Sequence, residues 1–475
     1  MLAPTKKRPT PQKPLVSRSE LIQGIRALTD CFNDGLIDQL QPRGPAAVYT
    51  SSVTLWMLVM QRMAGGNTLH AMVKDFLANR PACCPENRRL AEGTLSESSG
   101  AYAGARKRLG LETIKYLYQR VTQSFLTKLG PFEFRPRQTF LLDGTTITLA
   151  PTAELKLRYP PATNQHGDSV WPIMLLFVAH DLETGCAMYP EVGRMVGGKG
   201  DSEALLAERI IRQLPRGSLA MADAGLGIFR VAYRCSEAKL DFLLRLTASR
   251  FKSLVKKAEL VENRWKTKTW KLRWTPSAKD RKGCPGIQGD ASVSVMIHEI
   301  EIGDNGQKLY LVTSLTEDAL SVADRYRHRY DVETDIREIK VALDTENIRG
   351  KSPEMVLKEL YTSLIAYNLL IQFRRQAASL AAIAPRRLSF QEVWNTYQSF
   401  LQVDLATRDP EACLARYEEA LRIASRCKIP DRPGRRYQRA AHPRRPKTTK
   451  EQKAERKNKV QVNADVEKSP PEIPK

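Results

Sequence analysis

The sequence predicts a mixed α/β fold: a mixed sheet flanked by helices, with a β-rich insertion and helical regions at both ends. Three observations predict it. Between residues 138 and 246, short apolar, β-branched runs alternate with amphipathic stretches in the order β-β-β-α-β-α-β. From about 247 to 317 the chain turns basic and aromatic, then alternates like antiparallel strands. On either side, in 18–130 and beyond 318, apolar residues recur at helical spacing. At 475 residues the chain exceeds one ordinary domain and has ample material for a core.

Residues 1–17, beginning MLAPTKKRPTPQKP, read as a basic, Pro-rich arm with no apolar segment of the secretory kind. A helical region follows over 18–130: SRSELIQGIRALTDCFNDGLI, SSVTLWMLVMQRMAGG and LGLETIKYLYQRVTQSFLTKL, with Ser96 or Ser98 as cap of an intervening helix. The first strand is QTFLLDGTTITLA, with Asp143 at its middle and Gly144 after it. WPIMLLFVAHD and CAMYPEVGRM form a hairpin across LETG. Asp201 or Ser202 caps the helix SEALLAERIIRQL. GSLAMAD is a short strand ending at Asp223, broken by AGLG. A helix around IFRVAYRCSEA and the strand DFLLRL complete this stretch.

The insertion, 247–317, interleaves Trp265, Trp270 and Trp274 with Lys and Arg. Aromatics among cations stack on exposed bases while gripping the nucleic-acid backbone; the alternative is that they plug a small β core. A helix is expected from about 318 to 345, with further helices over 352–375 and 389–425. Four prolines between 430 and 446 then stop helix formation, and 426–475 reads as a disordered basic tail.

A formal charge of +23 points to polyanionic partners. Residues 250–282 contribute +9 and 426–459 contribute +11, so the rest is nearly neutral. Charge gathered into two segments reads as phosphate-binding surface. Eight scattered cysteines form neither a disulfide framework nor a zinc motif, which fits a reduced, cytoplasmic protein. The longest apolar runs fall short of a membrane span.

The most informative stretch is RYRHRYDVETDIREIKVAL. On a continuous helix Tyr326, Arg329, Glu333 and Lys340 fall within an arc of roughly 60°. Beside them runs an apolar stripe of Val332, Ile336, Ile339 and Leu343, while Asp324, Asp331, Asp335 and Glu338 project elsewhere. One face thus presents a phenol, a guanidinium, one carboxylate and an ammonium. That set suits metal-assisted phosphodiester chemistry, the acid holding a cation and the bases holding phosphates. A salt-bridged helix face, with Arg329 and Glu333 paired at i and i+4, is the alternative.

The register Tyr326-x2-Arg329-x3-Glu333-x6-Lys340 resembles the Tyr-Arg-Glu-Lys signature of bacterial DDE transposases of the insertion sequence four group, and ELYTSLIAYNLL resembles the helix that follows it there. The resemblance implies a ribonuclease-H-like catalytic core over 131–375, in which Asp143, Asp223 and Glu333 are the catalytic, metal-binding acids. It implies two Mg²⁺ ions, with Mn²⁺ as a substitute: hard cations take carboxylate oxygens and stabilise both the attacking and the leaving oxygen. It further implies that 18–130 binds transposon ends, that Tyr326, Arg329, Lys340 and one of Trp265, Trp270 and Trp274 contact DNA, and that 376–425 serves dimerisation. The activity expected is cut-and-paste transposition through hairpinned ends, by a homodimer on paired terminal inverted repeats and target DNA, at the bacterial nucleoid. Two other classes stand beside it. A ribonuclease-H-fold nuclease or resolvase would not need the whole register, and a domesticated DNA-binding regulator would tend to lose an acid.

Overall fold

The computed structural model describes residues 35–430, except 45, 64–67, 82, 129–137, 165–166, 197–200, 284–285, 288–289, 303–305, 343–347 and 405–408. The expected arm, the first helix up to residue 34 and the tail beyond 430 lie outside the described residues.

The N-terminal region is helical: α1 (Leu36–Leu40), α2 (Ser51–Met63), α3 (Leu69–Ala78), α4 (Arg88–Ala91), α5 (Gly100–Arg108) and α6 (Leu111–Lys128). Every residue of α2 is buried, and its middle, Leu55 to Met60, is apolar on all sides. Thr68 caps α3 by accepting from Ala71 N; Ser99 stands at the N-cap position of α5 without a side-chain cap bond, while Ser98 Oγ accepts from Gly100 N at 3.3 Å.

The sheet begins with β1 (Thr139–Thr148); a short helix α7 (Ala153–Arg158) and β2 (Pro161–Asn164) precede β3 (Gly167–Asp181), which turns through Gly185 into β4 (Ala187–Arg194). Gly185 adopts a φ of 80°, the left-handed conformation that a tight hairpin turn demands. Next come α8 (Glu203–Ile211), β5 (Leu219–Ala222), α9 (Phe229–Glu237) and β6 (Asp241–Arg245). The insertion supplies α10 (Ala248–Val255), β7 (Glu259–Arg264), β8 (Thr267–Trp274), α11 (Ala278–Gly283), β9 (Val293–Ile302) and β10 (Gln307–Thr313).

Among the described residues ten strands join in one mixed sheet, ordered β2-β3-β1-β5-β6-β10-β9-β8-β7, with β4 also on β3. Its centre is parallel: Leu142 of β1 pairs with Ala222 of β5, and Ala222 with Leu244 of β6. The outer pairings are antiparallel. The insertion is continuous with the core sheet, because β10 pairs with β6 from Leu311–Arg245 to Thr313–Leu243. Helices flank this sheet, the arrangement of a ribonuclease-H-like core.

The single helix expected from 318 to 345 is instead three pieces: α12 (Ala319–Arg327), a 3₁₀ turn (His328–Tyr330) and α13 (Asp331–Ala342). Then follow α14 (Pro353–Leu380), a second 3₁₀ turn (Pro385–Arg387), α15 (Phe390–Asp404) and α16 (Pro410–Ser425). Ser352 caps α14 and Pro353 opens it, both favourable at a helix start. This 28-residue helix is the central post. Its buried Glu359 accepts from Arg62 of α2 and Arg106 of α5, each at 2.7 Å, tying the N-terminal helices to it. Asn368 exchanges two bonds of 2.9 Å with the backbone of Ala187, tying it to β4. Among the described residues no helix is long and apolar enough to cross a membrane.

Candidate active site

Asp143 and Asp223 meet because β1 and β5 are parallel and in register. Leu142 pairs with Ala222, so the two aspartates follow at one level on adjacent strands. Asp223, just past the end of β5, accepts from Gly225 N at 2.9 Å and from Leu226 N at 3.4 Å, and this aspartate turn bends the chain off the sheet. Gly227 then passes so close to strand β6 that any side chain there would collide with the Arg245 carbonyl. Asp143 accepts from Gly144 N at 2.8 Å, and a Cβ on Gly144 would lie 2.8 Å from the Phe177 ring.

α13 packs over β1 on Val332 and Ile339 and brings Glu333 to the same place. The link is Arg329. Its Nη2 donates to Asp143 Oδ2 at 3.0 Å and its Nη1 to Glu333 Oε1 at 2.7 Å. The i, i+4 pair is therefore present, but it is one arm of a bridge that reaches across to the sheet. Arg329 is only 16% exposed there, Asp143 23% and Glu333 44%. Lys340, two turns on, lines the small cleft between β1 and α13 together with Asp143 and His180.

A fourth carboxylate, not singled out by the sequence reading, borders the site. Glu203 opens α8, and its Oε1 would lie 3.4 Å from a Cβ on Gly144. Burial raises its pKa, and Asp223 and then Asp143 push it further up. Burial likewise raises Asp143; Arg329 and the Gly144 N–H pull it back, while Asp223 and Glu333 push it up. The only signal for Glu203 in the sequence was its place after a predicted cap, which says nothing of which strand the helix faces.

These donors are all carboxylate oxygens, and the surplus of negative charge is only partly offset by one guanidinium. That chemistry fits a hard divalent cation. Among the described residues no three His, Cys, Asp or Glu side chains stand close enough to chelate an ion as they lie. Arg329 spans the gap between Asp143 and Glu333 instead.

Two expectations are corrected, and a third holds with an unexpected surrounding. Tyr326 does not share the open face: it is 8% exposed, donates from its hydroxyl to Ala222 O at 3.4 Å and packs with Val332. The 3₁₀ turn explains this, since it winds about 20° per residue tighter than an α-helix, roughly 60° over three residues. Trp274 is 7% exposed and packs edge-on against Phe229, and half-buried Trp270 does so against Phe251. Only Trp265, at the β7–β8 turn, is open, 85% exposed with Lys266 Nζ 4.6 Å above its ring. Asp335 does project away from Glu333, but into the interior, where it is fully buried and paired with Arg386.

The family described as Transposase DDE domain matches residues 134–369, a span containing all three acids. The chain is 26% identical over 402 residues to the transposase InsG for insertion sequence element IS4 of Escherichia coli strain K12, covering 80% of this chain and 83% of that protein.

Proposed function

The chain belongs to the DDE transposases of the IS4 group, and from that premise we propose that Asp143, Asp223 and Glu333 are the acids with which it cuts and joins DNA. It is a DNA-cleaving enzyme of insertion-sequence transposition, works with a divalent metal, and binds the DNA ends of its element. The observation carrying the residue assignment is that Arg329 bridges Asp143 of β1 to Glu333 of α13, while the parallel register of β1 and β5 sets Asp223 level with Asp143.

Asp143, Asp223 and Glu333 would hold two Mg²⁺ ions, or Mn²⁺ in their place. When bound, such ions stabilise the attacking and leaving oxygens of a phosphodiester in turn. The chain's own groups do the rest. Arg329, whose fork already grips two carboxylates, presents the bidentate geometry that also fits a phosphate. Lys340 supplies a point charge at the same cleft. Trp265, exposed beside Lys266, is the side chain best placed to stack on an unpaired base. Tyr326 supports the Asp223 turn from beneath.

The reaction we infer is cut-and-paste: nicking, hairpin formation by the freed 3′-hydroxyl, and insertion into target DNA. Residues 18–130 would recognise the terminal inverted repeats, and 376–425 would join two copies on paired ends. The test is Glu333→Gln, which keeps shape but removes the charge a cation requires. It is expected to abolish Mg²⁺-dependent nicking while leaving binding to terminal-repeat DNA near wild type. Asp331→Asn removes the same charge two residues away and should still cut. Activity in the first with loss in the second would sink the assignment.

A further inference from the structure

The side of α13 opposite Glu333 is fastened by a residue beyond the transposase-matched segment. Arg386, in the 3₁₀ turn after α14, donates from Nη1 to Asp335 Oδ1 at 2.5 Å and from Nη2 to Oδ2 at 2.8 Å. Its Nε donates to Leu182 O at 3.2 Å, in the β3–β4 turn, and also lies 3.8 Å from Asp331. A two-pronged guanidinium–carboxylate pair fixes orientation as well as distance. Asp335 is fully buried, so nothing in solvent replaces that partner.

The geometry matters because of what lies between. At ~100° per residue, Asp335 stands about 160° from Glu333, with the stripe of Val332, Ile336 and Ile339 between them. Apolar contact is non-directional, so a helix seated on such a stripe resists lifting better than rolling. Side chains reach about 5–6 Å from a helix axis, and a roll of ~20° would move a carboxylate by about 2 Å. A misplacement of about 1 Å is enough to cost roughly 10²-fold in rate.

We propose that Arg386 is a positioning residue of the cutting site: its clamp on Asp335 sets the roll of α13 and so holds Glu333 opposite Asp143. This rests on the reading of Glu333 as the third acid, and the test separates the two. Asp335→Leu with Arg386→Met replaces the buried pair by apolar groups, an exchange that is often neutral for stability. Arg386→Lys keeps the charge but loses the fork.

Both variants are expected to melt within a few degrees of wild type and to bind terminal-repeat duplex normally. They should nick 10- to 100-fold more slowly at saturating DNA, require more Mg²⁺, and bind Mn²⁺ more weakly by electron paramagnetic resonance. A merely structural pair would move none of the last three once the protein is folded. Wild-type nicking and an unchanged Mn²⁺ isotherm in a folded variant overturn the clamp. Should the double variant fail to fold, Arg386→Lys decides alone. Glu333→Gln runs beside them: if it still cuts, the site reading falls, and if it is dead while the clamp variants cut normally, only the clamp falls.

Discussion

Three tryptophans within ten residues of sequence meet three environments. Trp274 fills the space against Phe229, Trp270 leans on Phe251, and Trp265 stands in solvent. Trp274→Ala should therefore cost about 3–5 kcal/mol of stability, the usual range for emptying a buried aromatic site. Trp265→Ala should leave the unfolding transition unchanged but slow hairpin formation more than the first nick, since stacking contributes about 1–3 kcal/mol per base. Urea unfolding and a two-step cleavage assay check both, and equal slowing of the two steps would remove Trp265 from the DNA. Composition marked this stretch as aromatic among cations, but not which ring was free. That depends on the phase of β8 against α9, and no residue of β8 encodes the position of Phe229. Tyr326 is the same lesson on a helix: its phase was set by a 3₁₀ turn that the periodic pattern does not announce.

α13 was the most legible element, because an apolar stripe and a charged register share one short sequence. What it hid was its third side. Glu338 lies 3.4 Å from Arg374 of α14, yet burial outweighs that neighbour and lifts its carboxyl to about 7. The value in the folded protein exceeds the ordinary one. Stability gained from the protonated form is thus complete below about 4.5 and is lost as pH rises through about 7. Glu338→Gln, which cannot ionise, should lose nothing over that range. Its stability relative to wild type should rise by up to about 3 kcal/mol between pH 5 and pH 8. A difference in urea midpoints that does not vary with pH would show that Glu338 ionises normally. Acidic residues on a helix read as solvated from sequence; Asp335 and Glu338 are not, because Arg386 and Arg374 arrive from far along the chain to meet them.

Over the whole molecule, the strand order was readable because each run carried its own period. The union of insertion and core was not, since the β10–β6 pairing is a long-range choice that no local pattern specifies. Charge tells a complementary story. Segment 426–459 carries +11, and its removal should flatten the dependence of log K for DNA on log salt by about 0.9 for each phosphate it neutralises. The melting of the folded part should stay where it was. An unaltered slope would mean that the tail does not touch DNA. The long reach of the Arg386 clamp also has a consequence in time. Chains grow at about 5–20 residues per second, so some 50 residues separate the making of Glu333 from that of Arg386, roughly 3–10 s. During that interval a nascent chain owns all three acids but not the residue that aims the last of them. A half-made copy would thus cut about 10- to 100-fold more slowly than a finished one.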